Sequence, residues 1–425
     1  MSLVHVPCGR KMMTADIDEK NLLGVFSSAL PAPAADPFAE VENALDNPIG
    51  SPKLEELARG KRTVTLIASD HTRPVPSRYI VPAMLKRIRK GAPDADITIL
   101  IATGCHRETS REELIGKFGA EIVEREKIIV HDCTDTAVLC KFGTLPSGGE
   151  LIISKYAAEA DLLVSEGFIE PHFFAGFSGG RKSVLPGIAA RGTVLANHCS
   201  EFIQHPCSRT GILENNPIHE DMLFAANAAK LAFIVNVVID HDKKIVRAFA
   251  GDHEKAHRTG CEFLRSICKV RVPEADIVIT SNGGYPLDQN IYQSVKGMTA
   301  GEAVCREGGV IIISASCSDG HGGEAFCKAL TEAESARSLW ERLLPVDRDK
   351  TTPDQWQFQI LARILCRFRV ILVTDSCDHA MIRRMKMDAA SSLEEALEMA
   401  YQMVGKTAKV AVIPDGVSVV SEKIG

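Results

Sequence analysis

Short runs of Val, Ile and Leu, each four to seven residues long, alternate along this chain with segments of helical periodicity. That alternation limits the fold more than any other feature of the sequence. A strand that is followed by a helix and then by another strand is covered on both faces, so it reads as an unbroken apolar run, and repeated units of this kind build a parallel sheet. In the first half the runs at 64–68, 97–102, 128–131, 162–165 and 233–239 are predicted strands, with helices over 77–90 and 110–118 between them. Residues 240–244 form a polar turn, and 245–249 is expected to pair back as a hairpin strand. After a helix over 253–268 the register changes at 269–276, and a second series begins with strands at 277–280, 309–315, 370–374 and 410–413. The expected fold is therefore α/β: two Rossmann-like domains with mainly parallel sheets, residues 1–270 and 271–425, and an active site in the cleft between them. The stretch PAPAADP after Leu30 reads as an extended connection.

Size and charge narrow the function classes. A chain of 425 residues with 45% hydrophobic content supports two cores. It has 55 acidic and 49 basic residues and no basic run, which excludes nucleic acid as a partner. Thirteen cysteines lie scattered between Cys8 and Cys377 without CxxC or zinc-ligand spacing. They read as thiols of a reducing compartment. No run reaches the roughly twenty apolar residues that span a bilayer, and MSLVHVPCGRKMMTAD lacks the pattern of a leader. A soluble, cytoplasmic protein with no membrane partner is expected.

The chemistry-bearing residues cluster where the predicted strands end. One strand runs into Asp70-His71-Thr72-Arg73-Pro74, the next into Gly104-Cys105-His106-Arg107, and a third into Glu166 and the stretch EPHFFAGFSGGRKSVLPGIAARGTVLANHCS. In open parallel sheets ligands lie beyond the carboxyl ends of the strands, so these loops predict one shared site. The stretch from Glu170 to Ser200 holds His172, a glycine-rich loop, Lys182 and His198. It approaches the GxxxxGK[ST] phosphate loop but has Arg181 where that motif requires glycine. In the second half, Gln293 and Lys296 stand three apart and share one helix face. Each element has a plainer reading: Asp70 with Arg73 as a local ion pair at the Pro74 turn, His106 bonded to a backbone carbonyl, Gln293 and Lys296 as a solvated helix face, His321 in a mobile loop. Their joint placement after strands favours a site.

Together these motifs resemble the nickel-pincer lactate racemase family and its 2-hydroxy-acid racemase and epimerase relatives, over nearly the whole chain. The resemblance implies a pyridinium mononucleotide with two sulfur-containing arms, joined to Lys182 as a thioamide and holding nickel, with His198 as the protein ligand. It implies His106 and His172 as proton donor and acceptor. Asp70, Thr72, Arg73, Gly179 and Gly180 match positions around the cofactor; Arg73, Gln293, Lys296 and Trp356 match positions around the substrate. The implied reaction is inversion of a 2-hydroxy acid, lactate or a larger relative, by reversible hydride transfer through a 2-oxo acid, and the implied partners are that small molecule and the enzymes that make and load the cofactor. Hydride removal suits this substrate class, because proton abstraction beside a carboxylate would pile up negative charge, whereas hydride loss leaves a neutral ketone. Two imidazoles titrating near neutrality suit the two hydroxyl positions. The helix-start amides of the glycine loop are expected to meet a phosphate, and closure about a hinge is expected to bring in the second domain. Two other classes remain: a nucleotide-dependent phosphotransferase using GFSGGRKS, and a non-catalytic 2-hydroxy-acid or nickel sensor on the same fold.

Overall fold

In a computed structural model describing residues 1–424, the apolar runs become the central strands of two six-stranded sheets. The first sheet has the order Ile245–Gly251, Leu231–Ile239, Leu162–Phe168, Thr63–Ser69, Asp96–Ala102 and Lys127–Val130. Its strands run parallel except Ile245–Gly251, which returns antiparallel on Leu231–Ile239. Residues 64–68 and the whole of Leu162–Phe168 are buried, as strands covered on both faces must be. The second sheet is parallel throughout: Asp388–Ala390, Arg369–Val373, Cys305–Ser314, Ala275–Ser281, Val410–Ile413 and Leu22–Val25.

That last strand departs from the expected division at residue 270. Leu22–Val25 pairs with Val410–Ile413, and the preceding hairpin, Ser2–Cys8 with Lys11–Ile17, buries Val4, Val6, Ala15 and Ile17 against Ile277, Ile279, Val310 and Ile312. The division follows the sheets only from Pro37 onward, where helix Pro37–Asp46 packs on Ile245–Gly251. The hairpin's signal is the alternation of Val4, Val6 and Cys8, period two over one short run. The segment 269–276 also contains a strand, Lys269–Pro273, paired in parallel with Val420–Ile424.

The two halves share one apolar cluster, in which Phe173, Leu185 and Val194 of the first pack with Val295, Met298 and Leu361 of the second. Helix Gln355–Arg367 is fastened across this boundary. Its Gln359 donates to the carbonyl and hydroxyl of Ser200 at 3.0 and 2.9 Å, and Arg363, in a buried pair with Glu302 at 2.8 Å, also donates to the Ile203 carbonyl at 3.2 Å. A buried polar group is costly unless bonded, so these contacts set the helix's position and with it that of Trp356. Among the described residues no helix is long and apolar enough to cross a membrane.

Candidate active site

The loops after three adjacent strands, Leu162–Phe168, Thr63–Ser69 and Asp96–Ala102, open into one cavity of about 590 Å³. Asp70, Arg73, His106, His172, Gly179, Gly180, Lys182 and His198 line it from the first domain, and Gln293, Lys296 and Trp356 from the second. The second domain already faces the cavity in this structure, since the Lys296 amine stands 6.0 Å from the Phe173 ring. Thr72 is not on the wall but braces it: its hydroxyl donates to Asp70 Oδ1 at 2.7 Å and accepts from the Arg73 guanidinium at 2.9 Å.

Asp70 is 1% exposed and its Oδ2 lies 2.7 Å from Nδ1 of His106. Burial raises the carboxyl, but the bonds from His106 and Thr72 and the charge of Arg73 outweigh it and hold the group below its usual value. A carboxylate at Nδ1 places the ring hydrogen there, so Nε2 of the half-exposed His106 presents its lone pair. The local ion pair between Asp70 and Arg73 is not what forms; the carboxylate turns to His106 instead.

The glycine-rich loop differs from its expected role. Gly176, Gly179 and Gly180 have φ of +77°, +78° and +53°. A Cβ on them would stand 2.3 Å from the Ile212 carbonyl oxygen, 2.6 Å from Asn236 Oδ1 and 2.6 Å from the His257 ring. These glycines are required by protein packed behind the loop. The amides are taken as well: Gly180 N–H donates to Asn236 Oδ1 at 2.7 Å, Ser178 N–H to the Glu170 carbonyl at 2.9 Å, and Lys182 N–H to the Gly179 carbonyl at 3.1 Å. The loop leads into a 3₁₀ turn, Gly180–Ser183, and not into the start of an α-helix. Three of the amides expected to meet a phosphate are therefore already bonded to protein, which weakens the phosphotransferase reading.

The same loop aims His172 and Lys182 at each other, with Nε2 and Nζ 3.5 Å apart. Ala175 N–H donates to His172 Nδ1 at 3.3 Å. Burial, then the charges of Lys182 and Lys296, push His172 well below the ordinary imidazole value. His198 closes the far end, its ring 5.0 Å from Phe174 and 5.1 Å from Trp356 in edge-on contacts. Burial and then Lys182 push it down to about 3, so it is a neutral imidazole at any working pH.

On the opposite wall, Asn290 caps helix Ile291–Val304 by accepting from Gln293 N–H at 2.9 Å, which fixes the start of the helix whose first two turns present Gln293 and Lys296. Burial, then Arg73, lower the Lys296 amine to about 8. Two residues that sequence reasoning did not single out join this wall: Tyr292, whose hydroxyl donates to Asp354 at 3.0 Å, and Asp354, in the left-handed region at φ +64°. Neither has a local signal, since their pairing spans 62 positions. His321 lies near Glu324, 3.5 Å away, and is not among the cavity-lining residues.

Two imidazoles, one backed by a buried carboxylate, share with Arg73, Lys182 and Lys296 a cleft between two α/β units, an arrangement able to bind a small molecule and exchange protons with it. The chain belongs to the lactate racemase family: residues 8–211 match the lactate racemase N-terminal domain and residues 270–421 the lactate racemase C-terminal domain. It is 55% identical over 422 residues to the lactate racemase of Thermoanaerobacterium thermosaccharolyticum, covering 99% of both chains. To that of Lactiplantibacillus plantarum it is 54% identical over 423 residues, covering 99% of this chain and 100% of the other. The solved lactate racemase apoprotein from T. thermosaccharolyticum superposes with a TM-score of 0.96 at 55% identity, covering 99% of this chain and 100% of that one. A structure from Thermotoga maritima, at 19% identity and TM-score 0.63 over 88% of this chain, shares the fold. The protein is accordingly an isomerase of the racemase type.

Proposed function

We propose that this protein interconverts the enantiomers of a 2-hydroxy acid, lactate or a larger relative, using a nickel-pincer nucleotide tethered to Lys182. The observation that carries the proposal is the cavity's donor set. Among the described residues no cluster of three His, Cys, Asp or Glu side chains is placed to hold a metal, and the cavity instead offers separate imidazoles, of which His198 stands apart at its far end, held neutral by burial. A lone imidazole suits a metal that arrives with its other ligands already attached. Arg73, Lys182 and Lys296 all line the cavity, and among the described residues none makes a salt bridge. Basic side chains free of salt bridges suit an anionic ligand.

In this reading His198 ligates the metal, Lys182 carries the tether, and Asp70, Thr72, Arg73, Gly179 and Gly180 surround the nucleotide. When bound, the cofactor supplies the acceptor for the substrate's hydride. The remaining work falls to the chain. Arg73 and Lys296 hold the substrate carboxylate and Gln293 donates to it. His106 Nε2 takes the hydroxyl proton, and Asp70 at Nδ1 stabilises the imidazolium that results. His172 serves the hydroxyl of the other enantiomer; a tether that leaves the Lys182 nitrogen uncharged removes the nearest cation that opposes its protonation. The aromatic faces of Phe173, Phe174 and Trp356 exclude water from the reacting carbon. The protein is read as cytoplasmic, with its cysteines unpaired, and dependent on other enzymes to make the cofactor.

The test is a panel of enantiopure 2-hydroxy acids with cofactor-loaded protein. Interconversion of at least one acid, with a deuterium at C2 retained in the product, is expected; binding without interconversion of any acid overturns the enzyme reading in favour of a sensor.

A further inference from the structure

Cys105 and Cys133 stand on loops that leave two neighbouring parallel strands, Asp96–Ala102 and Lys127–Val130. The loops are bonded to one another: the Thr103 hydroxyl donates to the His131 carbonyl at 2.6 Å, and His131 N–H to the Ile101 carbonyl at 3.1 Å. A third segment closes over both, with Gly104 N–H donating to the Gly187 carbonyl and Arg191 N–H to the Cys133 carbonyl, each at 2.9 Å. This lacing brings the two thiols together as hydrogen-bond partners beside the Arg191 guanidinium, which bonds to each of them. Cys105 and Arg191 line the active cavity, and Cys105 is exposed there, whereas Cys133 is buried behind it.

Two thiols that share a hydrogen bond next to a guanidinium favour a state with one proton between them, because the cation offsets the charge of one sulfur and the other sulfur's S–H solvates it. Cys133 is drawn down to about 6, first by the bond from Cys105 and then by Arg191, against burial and the charge of Asp132. The same bond, and after it desolvation, hold the remaining proton on Cys105 far above the ordinary thiol range. The exposed sulfur therefore keeps a proton and the buried one is the base beside it. Elsewhere burial alone leads, and it pushes Cys199, Cys261, Cys268, Cys305 and Cys317 up, which makes them inert.

We infer that Cys105 and Cys133 form a redox modification site on the cavity wall, which reacts with small disulfides bearing carboxylates and closes into a Cys105–Cys133 disulfide that disables His106. Arg73, Lys182, Arg191 and Lys296 line the cavity and attract the anionic reagent. Cys105 Sγ attacks one sulfur of the reagent RSSR as its proton passes to Cys133; the S–S bond breaks and RS⁻ leaves. Cys133 gives that proton to RS⁻, then attacks Cys105 Sγ and displaces the second RS⁻. The pair loses two electrons and the reagent gains them. A bond between sulfurs that only hydrogen-bond before must draw the two loops together, and the pull falls on the residue before His106, whose Nδ1 stands 2.7 Å from Asp70 Oδ2. The loss of turnover rests on the role proposed for His106; the cross-link itself does not. In a reducing compartment such a disulfide is transient and serves sensing.

The experiment treats full-length protein with dithiodiglycolate across pH, quenches in acid and maps the peptides by mass. At neutral pH a Cys105–Cys133 cross-link, lighter by two hydrogens, is expected at least about tenfold ahead of modification at any other cysteine, as a thiolate held near 6 against an ordinary value of about 8.5 gives. Cys133→Ser should stop at the mixed disulfide on Cys105 and reach it about tenfold more slowly, its base being gone. In Arg191→Met the midpoint of cross-linking against pH should rise by about one unit or more, with the wild-type rate recovered above it, a recovery that a collapsed loop would not show. Cross-linking no faster than modification of other thiols, or an unmoved midpoint in folded Arg191→Met, overturns the inference. In cofactor-loaded protein the cross-link should lower turnover by about 10²-fold, the cost of a small displacement of a reacting group; dithiothreitol should restore it, and Cys105→Ser should keep its turnover through the same treatment. Cross-linked protein that turns over at the full rate overturns the effect on His106. Selective cross-linking in a protein that never racemises leaves this site standing and removes the proposed function, and racemisation without selective cross-linking does the reverse.

Discussion

The first sheet brings its polar groups to the cavity on loops that leave strand ends, whereas the second sheet's domain brings its own on the first turns of two helices, Ile291–Val304 and Gln355–Arg367. The difference in support is physical. His106 is held by a carboxylate 1% exposed and His172 by a backbone amide three residues on. Gln293 and Lys296 depend on the Asn290 cap, and Trp356 on a helix fastened through Gln359 and Arg363 to the other domain. In the proposed reaction the two imidazoles thus sit on the wall braced within its own domain, while Gln293 and Lys296, which join Arg73 in gripping the substrate, sit on the wall whose position depends on how the domains meet. The imidazoles follow the same division. Among the described residues, every histidine that burial pushes below its ordinary value, namely His131, His172, His198, His219, His253 and His257, belongs to the first domain.

The contrast between the walls breaks most completely at Lys182. Lys182→Ala in cofactor-loaded preparations should carry no covalent mass adduct and show no racemisation; turnover in that variant would remove the tether from the mechanism. Next come the imidazoles of the same wall. His106→Ala and His172→Ala should each lower kcat by about 10²–10⁴-fold with nickel retained, while His198→Ala should lose nickel on metal analysis; equal metal loss in all three would erase the distinction between base and ligand.

Acid sharpens the contrast between the domains. The folded values of His198 and His219 are both near 3 against about 6.5 in an unfolded chain. Below pH 6.5 the unfolded state therefore takes up protons that the folded state refuses, and stability falls as pH drops from 6.5 toward 3. Each such imidazole contributes about 1.4 kcal/mol per pH unit in that window. Urea unfolding followed by hydrogen exchange should show amides of the first sheet losing protection before those of the second; simultaneous loss would show that the shared core couples the two.

On the gripping wall the effects are smaller. Lys296→Met should raise KM by about 10–100-fold, the worth of a charged hydrogen bond, with kcat changed less. With its amine near 8, Lys296 is charged below that pH and neutral above it, so KM in wild type should climb as pH rises past 8 and the variant should lack that climb. Tyr292→Phe, which removes the bond to Asp354, should cost about 1 kcal/mol, a few-fold in kcat/KM.

Most of the strands and the strand-end loops were legible because an apolar run that stops at a polar cluster marks both a buried strand and the point where its chain meets solvent or ligand. The residues that escaped did so for want of a local pattern. Asp354 matters through Tyr292, and Leu22–Val25 is a four-residue strand whose partner lies near the other end of the chain. Arg181 was legible as a departure from the phosphate loop, but its meaning depended on His257 and on the carbonyls of Ala175 and Gly179 behind it.

What the sequence determined by itself was the alternation of strand and helix, and hence two parallel sheets with chemistry at their carboxyl ends, because periodicity and chain reversal are local properties. Only the tertiary structure decided which side chains share a cavity, which way the glycine loop faces, and which amine is left without an acid. Those outcomes turn on distances between residues far apart in the chain and on the burial of charge, and neither is written in any one segment.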